Sequence, residues 1–204
     1  VSAVVNGADV RLGKARFISA REVQVAGEVF TAPKIIVATG ATPVILPIPG
    51  AELCVTSAEL LDTTTLPRSL AVIGGGVIGM EFASVYAAFG CEVTVIEYCK
   101  EILPGFDRDI AKRLRSALSK RGVKFILSAA ATAVDKADDG NLKVRYEAKN
   151  KPGETVVEKV LMAVGRKAVI PEGLEAAGAE ITRKGITVDD NFQTTIPGVY
   201  AIGD

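Results

Sequence analysis

Gly74, Gly76 and Gly79 stand at Gly-x-Gly-x-x-Gly spacing, directly after the apolar run Leu70-Ala71-Val72-Ile73 and before an apolar stretch of helical length. A second strand-like run, Glu92 to Ile96, closes on Glu97, near the ~20-residue offset expected for an acid that accepts ribose hydroxyls. Strand, glycine turn, helix, strand and acid together describe a dinucleotide-binding unit. Gly74 permits the sharp strand-to-helix turn, and Gly76 lets the backbone approach a pyrophosphate with no Cβ in the way. Gly79 lets the helix pack close to the strand. Gly75, Val77, Ile78 and Met80 complete the turn, where the unpaired N–H groups and positive dipole end of the helix suit phosphates.

The acid also selects among nucleotides. A carboxylate at the end of the second strand pairs with free 2′ and 3′ hydroxyls and repels a 2′-phosphate, for which Arg is the usual partner. Tyr98, Cys99, Lys100 and Glu101 follow Glu97, with no Arg before Arg108. NAD(H) is therefore the expected ligand in preference to its phosphorylated form. A glycine-rich turn in an ordinary α/β domain is the plainer alternative, and the strand before and the helix after weigh against it.

Other chemistry is sparse. Histidine is absent, which removes imidazole ligands and His-based acid–base catalysis. Cys54, Cys91 and Cys99 make no Cys-x-x-Cys pair and no disulfide framework, so none is expected to be catalytic; no metal site is expected, with carboxylate or Cys ligation left open. Net charge is zero, which gives no reason to expect nucleic acid or an anionic membrane as partner. No apolar run reaches the ~20 residues of a membrane span, and the N-terminus has no signal-peptide pattern. The expected location is cytoplasmic, or the mitochondrial matrix in a eukaryote. At 204 residues and 49% hydrophobic content the chain is long enough for one or two globular domains.

The elements that position these residues are legible in the patterning. Asp9 to Val29 alternates apolar and polar residues around Gly13 and Gly27, which predicts a small antiparallel meander. Lys34 to Gly40 predicts an apolar strand ending in a glycine turn, Pro43 to Gly50 an extended connection, and Ser57 to Leu61 a short helix capped by Ser57. Asp107 to Arg121 predicts an amphipathic helix with Ile110, Leu114, Ala117 and Leu118 on one face and a stop at Gly122. Its Arg113, Arg115, Lys120 and Arg121 read as a solvated face. Val123 to Leu127 predicts the third parallel strand. Thr132 to Met162 predicts a β-meander of three strands, turning at 138–141 and 151–153. A short helix is expected over 174–178, and strands over 185–188 and 199–202. The chain opens without Met and stops at Gly203-Asp204 straight after a strand, so a piece of a longer protein is expected.

Four blocks carry a wider resemblance: IIVATGATPVILPIPG (35–50), AVIGGGVIGMEFASVYAAFGCEVTVIE (71–97), MAVGR (162–166) and GITVDDNFQTTIPGVYAIGD (185–204). In this order they resemble the FAD- and NAD(P)-dependent disulfide oxidoreductases, and within them the dihydrolipoamide dehydrogenase branch. The resemblance implies an α/β fold in which a Rossmann-like three-layer NAD-binding domain, with parallel sheet and β-meander, is flanked by partial FAD-domain β segments. The implied segments are 1–59 (FAD domain), 60–178 (NAD domain) and 179–204 (return to the FAD domain).

The resemblance also implies residue roles. Thr39, Gly40 and Ala41 match a stretch passing near the flavin nucleotide, Ala15 a backbone contact to the FAD adenine, and Asp204 the acid for the ribityl hydroxyls. Glu81 matches a residue near the nicotinamide–flavin contact, Gly165 a close approach to NAD, and Ala131 a small apolar contact to its adenine. Packing alone is the alternative for Ala15 and Ala131, a strand-end turn for Gly40 and Gly165, and an exposed helix carboxylate for Glu81. The family's first glycine fingerprint, its redox Cys pair and its C-terminal dimerisation domain with a His–Glu pair are not in these residues.

The implied parent is a homodimeric flavoenzyme that passes electrons from a dihydrolipoyl-bearing protein or another disulfide substrate to NAD. This chain alone is expected to bind NAD without catalysis and without tight FAD. An NADH oxidase, a mercuric reductase or another sister flavoenzyme shares the four blocks, and a stand-alone NAD-binding module is the alternative of a different class.

Overall fold

The computed structural model describes residues 7–204; residues 1–6 of the first expected segment lie outside the described residues. The chain forms two compact units. One comprises Lys167–Asp204 with the described part of Val1–Thr42, and the other comprises Pro43–Arg166.

The central unit is built on four parallel strands in the order Lys159–Met162, Ser69–Ile73, Glu92–Glu97 and Lys124–Leu127. The strand before the glycine turn therefore sits inside the sheet, with its sequence successor on one side and the last strand on the other. That reversal of direction opens a crevice at the carboxyl ends of the strands. Strand alternation divides the two faces. Leu70, Val72, Val93, Val95 and Leu161 pack with Met80, Ala83, Tyr86, Ala111 and Leu118, the last five from helices Val77–Ala88 and Arg108–Lys120. Ala71, Ile73, Ile96, Val160 and Met162 pack with Val134, Val144 and Val157 from an antiparallel meander, Ala129–Lys136, Leu142–Ala148 and Lys151–Val157. Helices, parallel sheet and meander make the three layers. Each fully buried Val or Leu of the sheet contributes about 1.5–3 kcal/mol, which is why both faces of these strands are apolar.

The second unit has three smaller elements. Ala15–Phe17, Glu22–Val25 and Glu28–Thr31 form an antiparallel meander. Ile35–Val37 pairs in parallel with Val199–Ala201, and Ile181–Thr182 pairs with Gly185–Ile186. Phe17, Val37, Leu174, Ala179, Ile196 and Val199 are its core.

The compact units divide at Pro43 and Lys167, whereas the expected segments change at residues 60 and 179. Residues 43–59 belong to the central unit because Leu46, Ile48 and Leu53 pack on its second core, and Val134 N–H bonds the Pro49 carbonyl at 2.9 Å. Residues 167–178 belong to the other unit, where Phe17 N–H bonds Glu172 O at 2.8 Å and Leu174 is fully buried. Residues 174–178 form successive turns and no helix.

The meander's second turn lies at Lys149-Asn150, both with positive φ, because Ala148 and Lys151 are paired and a two-residue hairpin needs that twist. Its last predicted strand is split at Glu158, so that Lys159–Met162 joins the parallel sheet instead. Glu158 accepts from Arg68 N–H at 2.7 Å and Arg68 Nε at 2.6 Å, which fixes the break. Val10 and Leu12 stand exposed outside the first meander. Helix Ser57–Leu61 is capped by Thr56 in a reciprocal box with Glu59, because Thr56 rather than Ser57 has Glu three residues on. Helix Arg108–Lys120, capped by Asp107, buries Ala111 and Leu118 and leaves Ile110 exposed.

Candidate functional site

The glycine turn lies between the inner strand and helix Val77–Ala88, and the three fingerprint glycines answer to different constraints. Gly74 has φ +107, and a Cβ there would meet the Ala163 carbonyl oxygen at 2.4 Å. At Gly79 a Cβ would meet Gly74 O at 2.1 Å, so the helix lies against its own turn as well as against Val72. Gly76 is different. Its φ is −74, and a Cβ would meet nothing within 4 Å. None of the described residues demands glycine at 76. Gly76 also caps the helix with no side-chain bond, whereas Thr56 and Asp107 cap theirs with side-chain oxygens. The first-turn amides at Gly76 therefore lack an acceptor from a cap.

Glu97 ends the neighbouring strand and is 5% exposed. One carboxylate oxygen accepts the N–H of Gly75; the other accepts Cys99 N–H at 2.6 Å. Gly75 is itself constrained by this bond, since a Cβ would come within 2.9 Å of the Glu97 carboxylate. The acid and the turn predicted to share a ligand are thus in direct contact. Val77 is half exposed, Ile78 is partly buried, and Met80 is buried in the core beneath the turn.

The remaining expected residues divide into groups. Ala163 N–H bonds Ile73 O at 2.8 Å, so the end of the outer strand touches the turn and carries Gly165, two residues later, toward the same end of the sheet. Gly165 has φ +126 with open space beside it, and its carbonyl accepts Val44 N–H at 2.9 Å. Glu81 is exposed and lines an apolar groove of about 660 Å³ with Leu61, Leu66, Phe82, Val85 and Phe89. Ala131 opposes Tyr146 beside a bulge in the meander and packs on the second core.

In the other unit Thr39, Gly40 and Asp204 line one cleft of about 390 Å³ with Lys184 and Phe192. Thr39 Oγ1 donates to Val169 O at 2.5 Å and Gly40 O accepts Val169 N–H at 2.8 Å. Ala41 and Ala15 lie in short strands, Ala41–Pro43 and Ala15–Phe17, outside the residues that line this cleft.

The thiols are not set up as nucleophiles. Burial pushes Cys54 and Cys91 up to about 11. The Cys99 thiol is raised as well, first by burial and then by its hydrogen bond to Glu97. Among the described residues no three metal-binding side chains converge, and no helix is long and apolar enough to cross a membrane.

Two contributors lie outside the expected site residues. Leu103 N–H bonds the Gly75 carbonyl at 2.8 Å, and Arg115, read as part of a solvated face, forms a paired contact with Glu101 at 2.7 and 3.1 Å. Only the Ile102-Leu103 apolar pair, soon after the acid, hinted at a buried loop.

Comparison with known proteins bears on this arrangement. Residues 1–204 match the family model described as pyridine nucleotide-disulphide oxidoreductase. A dihydrolipoyl dehydrogenase of Acholeplasma laidlawii is 42% identical over 98% of this chain and 59% of its own length. The dihydrolipoyl dehydrogenase of Thermus scotoductus is also 42% identical, over 100% of this chain and 46% of its own. A glutathione reductase of Nostoc is 33% identical over 97% and 45%. Among solved structures, the HOCl-induced flavoprotein disulfide reductase RclA of Escherichia coli superposes with a TM-score of 0.85 at 34% identity, covering 96% of this chain and 45% of that one. The chain spans about half the length of the relatives it matches.

Proposed function

The chain belongs to the pyridine nucleotide-disulphide oxidoreductase family, and on that basis we propose that its central unit is the NAD-binding part of a dihydrolipoyl dehydrogenase-like flavoenzyme. The observation that carries the reading is the glycine turn itself. Gly74 and Gly79 are required by contacts within the chain, whereas Gly76 faces open space beside an uncapped helix end. A pyrophosphate fits that position, held by first-turn amides and the helix dipole. Glu97, already at the turn, accepts the ribose hydroxyls and disfavours a 2′-phosphate. Gly165 borders the same end of the sheet with no side chain, and Glu81 stands on the next turn of the helix.

Thr39, Gly40 and Asp204 in the second cleft suit part of a flavin nucleotide, with Asp204 as acceptor for its hydroxyls. Ala15 and Ala41 flank that role, and Ala131 a contact to the NAD adenine. Nicotinamide and flavin supply the hydride and electron transfer when bound. The residues described here hold and orient; with no histidine in the chain and its thiols raised, they carry no thiol–disulfide exchange. The parent takes a dihydrolipoyl-bearing protein as reductant and works as a homodimer. Three free cysteines suit a reducing compartment, cytoplasm or mitochondrial matrix. A sister disulfide reductase is the second reading, favoured by the likeness to RclA and glutathione reductase.

Titration of the purified chain with NADH and NADPH, followed by nicotinamide fluorescence, tests the central claim. NADH is expected to bind with a Kd on the order of micromolar or weaker, and more tightly than NADPH. Equal affinities, or binding of NADPH alone, would overturn the role given to Glu97.

A further inference from the structure

Glu97 and the loop that follows it are tied to the glycine turn at Gly75. Gly75 donates its N–H to Glu97 and its carbonyl accepts from Leu103 N–H at 2.8 Å, so one side of this turn residue is held by the acid and the other by the segment that follows it. Leu103 sits at φ +51, in the left-handed region, which is unfavourable for a non-glycine residue. Such a conformation persists only where the surroundings over-determine it. Ile102 and Leu103 are 1% and 9% exposed, and Ile102 Cγ2 lies 3.2 Å from where a Gly75 Cβ would be.

The residue before them, Glu101, is held from outside the loop. Arg115, two turns into helix Arg108–Lys120, meets it with Nε at 2.7 Å and Nη2 at 3.1 Å. Its other partner is Ile102 N–H, at 3.1 Å. The Glu101 carboxylate therefore ties the helix and the loop backbone at the point where the loop turns back toward Gly75.

We propose that Arg115 and Glu101 are positioning residues for nucleotide binding: the ion pair holds the 98–106 loop so that Leu103 fixes the Gly75 carbonyl and the glycine turn keeps the form that receives the pyrophosphate. The role rests on the central unit's being a dinucleotide site. Neither side chain touches the ligand; both act through Leu103. Lysine at 115 keeps the charge but not the two-pronged contact, so it restores part of the effect.

The test uses the wild-type chain, Arg115→Ala and Arg115→Lys, with NADH titration, thermal melting and amide hydrogen exchange at Leu103. Arg115→Ala is expected to weaken NADH binding about two- to fivefold, the range of a partly exposed ion pair, and to speed exchange at Leu103 by a similar factor. Arg115→Lys is expected to fall between the two, with the melting temperatures of both variants within a few degrees of wild type. NADH affinity unchanged in Arg115→Ala overturns the proposal. A loss that follows the melting temperature, with no change at Leu103 under conditions where both proteins are folded, overturns it too. Failure of the wild-type chain to bind NADH overturns the dinucleotide reading instead, and exchange at Leu103 then decides separately whether the ion pair holds the turn.

Discussion

Gly75 donates its backbone N–H to the carboxylate of Glu97, although 22 positions separate them. The acid that closes the second strand is thus also a structural partner of the turn that opens the helix. It accepts Cys99 N–H as well, so its removal leaves two amides short of an acceptor. Glu97→Gln keeps one carbonyl oxygen and the shape, but puts an NH2 where an amide now donates. The expected outcome is a loss of about 1–3 kcal/mol in stability by urea unfolding, together with a narrowed ratio of NADH to NADPH affinity. A variant that keeps the ratio while losing stability would leave Glu97 with a structural role alone.

Gly76 and Gly79 should separate folding from binding. Gly79→Ala places a methyl 2.1 Å from Gly74 O, a backbone atom that cannot swing aside. The cost is expected near the upper end of the ~1–3 kcal/mol of overpacked sites, outweighing the ~1 kcal/mol that alanine gains in helix propensity. Gly76→Ala meets open space and should cost less than about 1 kcal/mol, yet weaken NADH at least about tenfold by blocking the pyrophosphate approach. Denaturant midpoints and NADH titrations on the two variants check both halves.

Cys54 and Cys91, raised to about 11 by burial, should resist alkylation in the native protein. At pH 7.5 roughly one thiol in three thousand is ionised at that value, against roughly one in ten for a free thiol near 8.5. Iodoacetamide labelling followed by mass spectrometry should leave both unmodified until urea unfolds the chain. Native labelling at pH 7.5 as fast as in urea would contradict the burial.

The hydrogen bonds from Arg115 lead the causes that hold Glu101 below the ordinary carboxylate value of 4.5, with Ile102 N–H, the Arg115 charge and the Lys112 charge adding to it and burial opposing. A depressed folded value makes ionised Glu101 stabilising above about pH 4.5, and that stabilisation is lost as pH falls through the folded value. The stability gap between wild type and Glu101→Gln should therefore be present at pH 7 and close below about pH 4.5. A gap that persists unchanged to pH 3, measured by urea unfolding, would sink the ion-pair account.

Much of this protein was determined by the sequence alone. Gly74, Gly76, Gly79 and Glu97 are spaced along a contiguous stretch, and the constraints on them are local: a turn, a helix start and a strand end. The parallel strands are legible for the same reason, as apolar runs buried on both faces, and helix Arg108–Lys120 is bounded by Asp107 and Gly122, whose cap and stop chemistry acts within one turn. The tertiary structure alone decided the rest. Helix Arg108–Lys120 turned out to bury Ala111 and Leu118 rather than Ile110, because packing against the sheet sets a helix's rotation. Lys159–Met162 left the meander for the sheet because Glu158 is held by Arg68, a residue distant in the chain. Leu103 reaches the Gly75 carbonyl, and Arg115 reaches Glu101, two residues before Leu103, through distances in space that no local propensity encodes. The spacing of Gly76 and Glu97 points to a kind of ligand, and only the fold reveals that Leu103 and Glu97 both bond Gly75 between them.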